Sequence, residues 1–314
     1  MRPLTEMIQS GIQIEITNHC HNKCSNCTRL VGHHAKPYFM DLAWFKKCID
    51  SMAASGGSDP MRWPGLVGFL GGEPLLHPEF EALCAYAASR FPKNQLGLWT
   101  CLPKGHEGYR DIICSTFEHI FINDHSRDDV LHTPILVAPR STPIEPWVVD
   151  VIQDKCWIQN SWSATMNPRG AFFCEVAGAL SMLLQDGHGW KIEPGWWRKA
   201  PKHFRAQMEK YCSVCGAALP MQRRESVDGR DDVCPWWAKK LEELGSPKFK
   251  AGKTVQDGLV LGQDDRQCAT YKDMEWRESV ASRYGMFLML NDMGYCTPYL
   301  RKNWKGDSNG QEKG

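Results

Sequence analysis

The chain has 314 residues, 42% of them hydrophobic, enough to bury a sizeable core and, by length, to form about two domains. Its formal net charge of +1 gives no general electrostatic footprint for nucleic acid or an anionic membrane surface, so neither partner is expected. Fourteen cysteines are many for a chain of this size.

Met1 to Gly11 holds Glu6 and several polar residues and no apolar secretory segment, so neither a secretory signal nor a leader-binding domain is expected before Gly11. No run approaches the roughly 18 apolar residues that a membrane span needs. A cytoplasmic protein is therefore expected, and in a reducing compartment the cysteines read as metal ligands and free thiols, not as a disulfide framework.

Ile12, Ile14 and Ile16 alternate with Gln13 and Glu15, the pattern of a strand with one apolar and one polar face. Directly after it comes Cys20-His21-Asn22-Lys23-Cys24-Ser25-Asn26-Cys27. Three thiolates this close in sequence can converge on one centre, and soft sulfur ligands select zinc, copper(I) or an iron–sulfur cluster. A structural zinc site and an ordinary four-iron cluster each take four ligands, so three cysteines leave one position free. His19, His21, His33 or His34 would fill it in a zinc knuckle, and a non-protein ligand would fill it otherwise.

From Asp41, an N-cap residue type, Leu42, Phe45, Ile49 and Met52 mark an amphipathic helix that ends near Ser55-Gly56-Gly57, with Cys48 inside it. A second strand, Leu66 to Leu70, runs into Gly71-Gly72-Glu73-Pro74. Pro78 suits a first helical position, and Phe80, Leu83, Ala87 and Phe91 form the next stripe before Pro92 breaks it. A third strand over Leu96 to Thr100, a helix over Tyr109 to Phe117, a fourth strand over His119 to Asn123 and a fifth over Ile135 to Ala138 complete a βαβα rhythm. That rhythm implies a parallel sheet.

A helix over Glu145 to Lys155 leads to Cys156. Cys174 follows, and Cys212 and Cys215 form a CxxC pair after a helix ending at Tyr211. Between the first two, Asn167-Pro168-Arg169-Gly170 is a turn signal inside the strand-like stretch Asn160 to Phe173, so a hairpin would bring Cys156 and Cys174 together. These four thiols make a closed set of ligands, for a cluster or for zinc, with Cys234 an alternative member. The tryptophans at positions 190, 196 and 197, and the Cys234-Pro235-Trp236-Trp237 run, read as an aromatic cluster packing this region, or as a lid. Residues 241 to 270, rich in Gly, Lys and Asp, read as a linker or surface loop. Trp276, Val280, Tyr284, Phe287 and Asn291 read as a docking helix, and the sequence from Lys302 as a mobile tail. Cys84, Cys101, Cys114, Cys268 and Cys296 lack ligand spacing and read as buried or inert thiols.

The CxxxCxxC triplet of Cys20, Cys24 and Cys27, followed by Gly71-Gly72-Glu73-Pro74 at the end of the next strand, resembles the signature of the radical S-adenosylmethionine superfamily, whose second motif is GGEP. The resemblance implies a [4Fe–4S] cluster held by the three cysteines and chelated at its fourth iron by S-adenosylmethionine, with the glycine turn close to the methionine moiety. It also implies an α/β fold, a partial (β/α)6 TIM-like barrel with the cofactor at the carboxyl ends of the strands. Thr100, Asn123 and Asp124 then become candidates for contacts to the adenosine and ribose.

The Cys156, Cys174, Cys212 and Cys215 set resembles the twitch domain, a shortened relative of the SPASM domain, and implies one auxiliary [4Fe–4S] cluster. The C-x2-C-x5-C-x3-C run of a full SPASM domain is absent, since Cys234 is the next cysteine after Cys215. The expected organisation is a radical core over 1–150, an auxiliary-cluster domain of hairpin and helix over 151–240, and an extension over 241–314. The implied activity is oxidation of a small alcohol or amino-sugar-like metabolite, with flavodoxin or ferredoxin as electron donor. Modification of a ribosomally made peptide is the second reading, and a non-catalytic zinc-binding scaffold the third.

Overall fold

A computed structural model describes residues 11–53, 61–123, 125, 130–154, 156, 158, 164–199, 201–256 and 288–289. Its centre is β1, Ile12–Thr17. Ile12, Ile14 and Ile16 are each 0% exposed and turn one way, as strand alternation requires. Gln13 and Glu15 turn the other way and are also buried.

β1 has a parallel neighbour on each edge. On one side lies β2 (Val67–Gly71), with Ile12 opposite Val67 and Glu15 opposite Leu70. On the other lies β6 (Ala164–Asn167), with Ile12 opposite Ala164. Beyond β2 come β3 (Leu96–Thr100) and β4 (His119–Ile122), both parallel, and then β11 (Leu288–Met289), antiparallel to β4. Beyond β6 lies β7 (Gly170–Phe172), joined to it as an antiparallel hairpin through Asn167 opposite Gly170. The protein is thus a mixed α/β fold around a largely parallel seven-stranded sheet. β5 (Leu131–His132) lies outside that sheet and pairs with β8 (Arg224–Glu225).

Helices α1 (Leu42–Ala53), α2 (Phe80–Arg90) and α3 (Arg110–Thr116) are the crossovers between the first four strands. The Asp41 carboxylate accepts the Trp44 amide at 2.7 Å, capping α1 as its position in sequence suggests. Phe69 of β2 meets Phe45 of α1 and Phe117, which follows α3, edge to face at 5.2 and 5.0 Å. Burying an aromatic ring of this kind contributes roughly 2–3 kcal/mol. On the opposite sheet face Leu70, Trp99 and Phe121 form a separate cluster. Trp99 lies across Gly68, where a Cβ would meet its ring at 2.4 Å, and stacks on Phe121 at 4.0 Å.

The remaining chain adds α4 (Pro146–Asp154), α5 (Glu175–Leu184), α6 (Pro201–Tyr211), β9 (Asp231–Asp232), α7 (Pro235–Glu243), α8 (Pro247–Lys250) and β10 (Thr254–Val255). Trp196 and Trp197 are each 1% exposed and pack against Trp190 and Trp63, so they are core and not a lid.

Two expectations are corrected. Ile135 to Ala138 is buried but irregular. Its backbone bonds singly to two loops, Gly216 N to Ile135 O at 2.9 Å and Cys234 N to Leu136 O at 3.1 Å, which satisfies it without a ladder. Residues 241–256, read as linker, hold the end of α7, all of α8 and β10, with Lys248 only 5% exposed. The expected docking helix, the tail, and Cys268 and Cys296 lie outside the described residues. Among the described residues no helix is long and apolar enough to cross a membrane.

Candidate metal and cofactor site

The loop bearing Cys20, Cys24 and Cys27 leaves the C-terminal end of β1, the sheet edge where open parallel sheets bind ligands. Asn26, at φ 48°, takes the left-handed turn that asparagine tolerates best among residues with a Cβ. Residues distant in sequence hold the loop in place. Ser25 N bonds to Ser226 O at 2.9 Å. The Asn26 side chain exchanges two bonds with Asp232, its Nδ2 donating to Oδ2 at 2.8 Å and its Oδ1 accepting the Asp232 amide at 2.9 Å. Asp231 accepts the Asn26 amide. Lys248 Nζ donates to Cys24 O at 2.9 Å and pairs with Asp231 at 2.8 Å. The C-terminal segment from Ser226 to Lys250 is therefore a clasp on the cysteine loop.

His33 belongs to that clasp. Its Nε2 pairs with Asp231 at 2.6 Å and its Nδ1 with Ser246 Oγ at 2.8 Å. Both ring nitrogens are engaged, which removes it from the histidines weighed as a fourth ligand. His34 is half-buried, and the desolvation of its ring holds its pKa down to about 4, with His33 adding to the effect.

The second motif runs beside the loop. Gly72 N bonds to Thr17 O and Glu73 N to His19 O, both at 2.8 Å, so Gly71-Gly72-Glu73 continues the β1–β2 contact past the strand ends. A Cβ on Gly71 would meet Thr17 O at 2.5 Å, and one on Gly72 would meet His19 O at 2.2 Å and Cys20 Cβ at 2.9 Å. Only glycine permits this approach. Pro74 is buried at the start of a short 3-10 turn. Glu73 is 1% exposed. Its Oε1 accepts Leu75 N at 3.0 Å and the Thr100 hydroxyl at 2.7 Å, and its Oε2 accepts the amide and thiol of Cys101, both at 2.9 Å. The Thr100 hydroxyl also accepts Leu102 N at 3.0 Å. Thus Glu73 and Thr100, both expected at the cofactor, are engaged with each other. Asn123 stands half-buried at the end of β4, its amide bonded to Thr100 O at 2.9 Å, and Asp124 lies outside the described residues. Sequence spacing gave no reason to single out Cys101.

The thiols of Cys20, Cys24 and Cys27 act on one another. Burial first, then the nearby Cys27, pushes Cys20 up to about 12, with Glu73 and Cys24 adding to it. Burial, then Cys27, does the same to Cys24, which Lys248 opposes.

The other four cysteines also form one group. Cys156 follows α4, Cys174 is the N-cap of α5, and Cys212 and Cys215 flank a 3-10 turn after α6. Gln153 Nε2 donates to Cys212 O at 2.8 Å, tying the end of α4 to that turn. Burial raises Cys174, and Cys156 and Cys215 raise it further. Burial and then Cys215, Cys156 and Cys174 raise Cys212, and burial with Cys156 pushes Cys215 up to about 12. Cys234 accepts the Ala138 amide on its sulfur at 3.4 Å in the core.

Raised thiols such as Cys20, Cys24, Cys174, Cys212 and Cys215 favour the protonated form until a cation joins them, so the chemistry of both donor sets fits a metal–thiolate centre. Among the described residues, however, no three His, Cys, Asp or Glu side chains converge as they would on a single metal ion.

No family model matches the chain. A 76-residue stretch is 33% identical to an S-adenosylmethionine-dependent nucleotide dehydratase of Selenomonas ruminantium, covering 24% of this chain and 24% of that protein. The chain thus matches about a quarter of that relative's length. A crystal structure of BtrN in complex with AdoMet and 2-DOIA overlays with a TM-score of 0.43 at 14% identity, over 65% of this chain and 87% of that one. In its two motifs the chain resembles the radical S-adenosylmethionine superfamily, and over 76 residues it is similar to an S-adenosylmethionine-dependent enzyme.

Proposed function

We propose that the chain is an enzyme that removes a hydrogen atom from a small-molecule substrate and completes a net oxidation, a dehydrogenation. The observation that carries this reading is the meeting of two motifs at the ends of adjacent parallel strands. Cys20, Cys24 and Cys27 follow β1, Gly71 to Pro74 follow β2, and the Glu73 amide bonds to His19 O between them. A [4Fe–4S] cluster bound there with S-adenosylmethionine supplies one-electron cleavage to methionine and a 5′-deoxyadenosyl radical.

The chain's own residues have distinct tasks in this reading. The three thiols would hold a [4Fe–4S] cluster and leave one position for S-adenosylmethionine, which Gly71 and Gly72 would let approach closely. Asn123 stands at the strand end that the adenosine would reach, and Asp124 follows it in sequence. Glu73 and Thr100 lock the turn that presents the glycines. In this reading the radical core is the open, largely parallel sheet of the first 150 residues, which the β6–β7 hairpin of a twitch-like region (151–240) extends beyond β1, with 241–314 as an extension. Cys156, Cys174, Cys212 and Cys215 would hold a second [4Fe–4S] cluster. With four protein ligands it offers no position to substrate, which leaves accepting an electron as its task. Flavodoxin or ferredoxin supplies the reducing electron.

The relative named as a nucleotide dehydratase supports a second reading, loss of water from a nucleotide. Anaerobically reconstituted protein is incubated with S-adenosylmethionine, reductant and metabolite or peptide pools. Formation of 5′-deoxyadenosine with loss of two hydrogens from a metabolite is expected. Loss of water, or a crosslinked peptide, would replace dehydrogenation by that reaction. Cys24→Ala protein that makes 5′-deoxyadenosine at the parent's rate would overturn the reading entirely.

A further inference from the structure

Arg29 stands two residues after Cys27, and Glu175 one residue after Cys174. The two side chains meet across the molecule, Arg29 Nη2 to Glu175 Oε1 at 3.1 Å. Arg29 Nη1 also reaches Glu15 Oε2 on β1 at 3.8 Å, and Asn167 Nδ2 donates to the same oxygen at 3.4 Å. All three charged side chains are buried, with exposures of 4, 0 and 1% for Arg29, Glu175 and Glu15. The guanidinium lies within electrostatic reach of the thiols of both Cys27 and Cys174.

We propose that Arg29 is a positioning residue common to the two cysteine groups, tying their ligand loops together through Glu175 and setting one shared charge between them. The proposal rests on the reading that both groups hold iron–sulfur clusters.

The physical case has two parts. A buried ion pair adds little net stability over an apolar pair of the same volume, so its effect is sought in span and charge. The span is short and stiff. Glu175 is the first residue of α5 and Cys174 its N-cap, so a shift of Arg29 passes to a ligand of the second group through one peptide unit, and to Cys27 through two. The charge acts in a poorly screened interior, where Coulomb interactions are many times stronger than in water. A cluster becomes more negative when reduced, and its potential follows net charge and nearby hydrogen bonds. A guanidinium between two clusters therefore favours reduction of both, and the Glu175 carboxylate opposes it in both.

Parent, Arg29→Lys, Arg29→Met and Glu175→Gln proteins are reconstituted anaerobically. Metal content is measured, and each cluster's EPR signal is followed through a redox titration in alkaline buffer without S-adenosylmethionine. Arg29→Met is expected to move both midpoints to more negative potential and Glu175→Gln to move both to more positive potential, with Arg29→Lys close to the parent. Unchanged midpoints at full iron content, or a shift confined to one group, would overturn the proposal. Should Arg29→Met fail to fold, the near-isosteric Glu175→Gln carries the test, since the sign of its shift is fixed in advance. A parent that binds zinc, or only four irons, fails in the metal analysis before any titration, which separates failure of the underlying reading from failure of this proposal.

Discussion

The Thr100 hydroxyl donates to Glu73 Oε1 at 2.7 Å, joining the end of β3 to the turn that follows β2. Together with Leu75 N and both donors of Cys101, it fills the acceptor capacity of a carboxylate that water does not reach. Glu73→Gln turns one acceptor into a donor that faces donors, and is expected to destabilise the protein by about 2–4 kcal/mol. Thr100→Val, which removes one bond and keeps the volume, is expected to cost about 1–2 kcal/mol. Denaturant midpoints of the two variants measure both, and a neutral Glu73→Gln would refute the arrangement.

Gly72→Ala drives a Cβ into the His19 carbonyl and the Cys20 side chain. Backbone cannot yield cheaply, so a loss of about 1–3 kcal/mol is expected, with roughly a tenfold or greater fall in 5′-deoxyadenosine formation. Gly108→Ala, which meets nothing within 4 Å, serves as control and is expected to match the parent in melting temperature and rate.

Lys248→Met removes the bonds to Cys24 O and Asp231 and leaves Asp231 buried with only the His33 ring and the Asn26 amide as partners among the described residues. Breaking a buried pair from one side typically costs about 3–5 kcal/mol. On the proposed reading, iron at the Cys20, Cys24 and Cys27 group is expected to fall while any at the second group stays, as metal analysis and EPR would register. Equal loss from both would mean that the clasp serves general folding instead.

His34 is held neutral in the folded protein down to about pH 4 by burial, whereas the unfolded chain takes up the proton near pH 6.5. Its contribution to stability is therefore fully present above about 6.5 and is lost progressively as pH falls towards 4, by at most about 3 kcal/mol. His34→Leu is expected to flatten the acid limb of a stability–pH curve between those values. An unchanged limb would place the titration elsewhere.

The strands β1 to β4 and the helices between them were legible because burial imposes a period on their apolar residues, and the two motifs because their spacing is short. The fifth strand misled for a related reason. Ile135 to Ala138 is apolar because it is buried, and an apolar run of that length carries no information on which backbone partners it finds. The clasp was invisible because Lys248, Asp231 and His33 are residue types ordinarily exposed, and the burial of His33 and Asp231 depends on a pairing across 198 positions. The tie between Arg29 and Glu175 escaped notice for the same reason, although each adjoins a cysteine that the sequence did single out.

Cys24 and Lys248 stand 224 residues apart, and this has a consequence for biogenesis. At roughly 5–20 residues per second of synthesis, the three thiols emerge from the ribosome about 10–45 s before the lysine that fastens their loop. Iron–sulfur assembly at this loop is therefore expected to follow translation, and a nascent chain stalled before Ser226 would expose sulfhydryls open to oxidants and to scavenged copper or zinc.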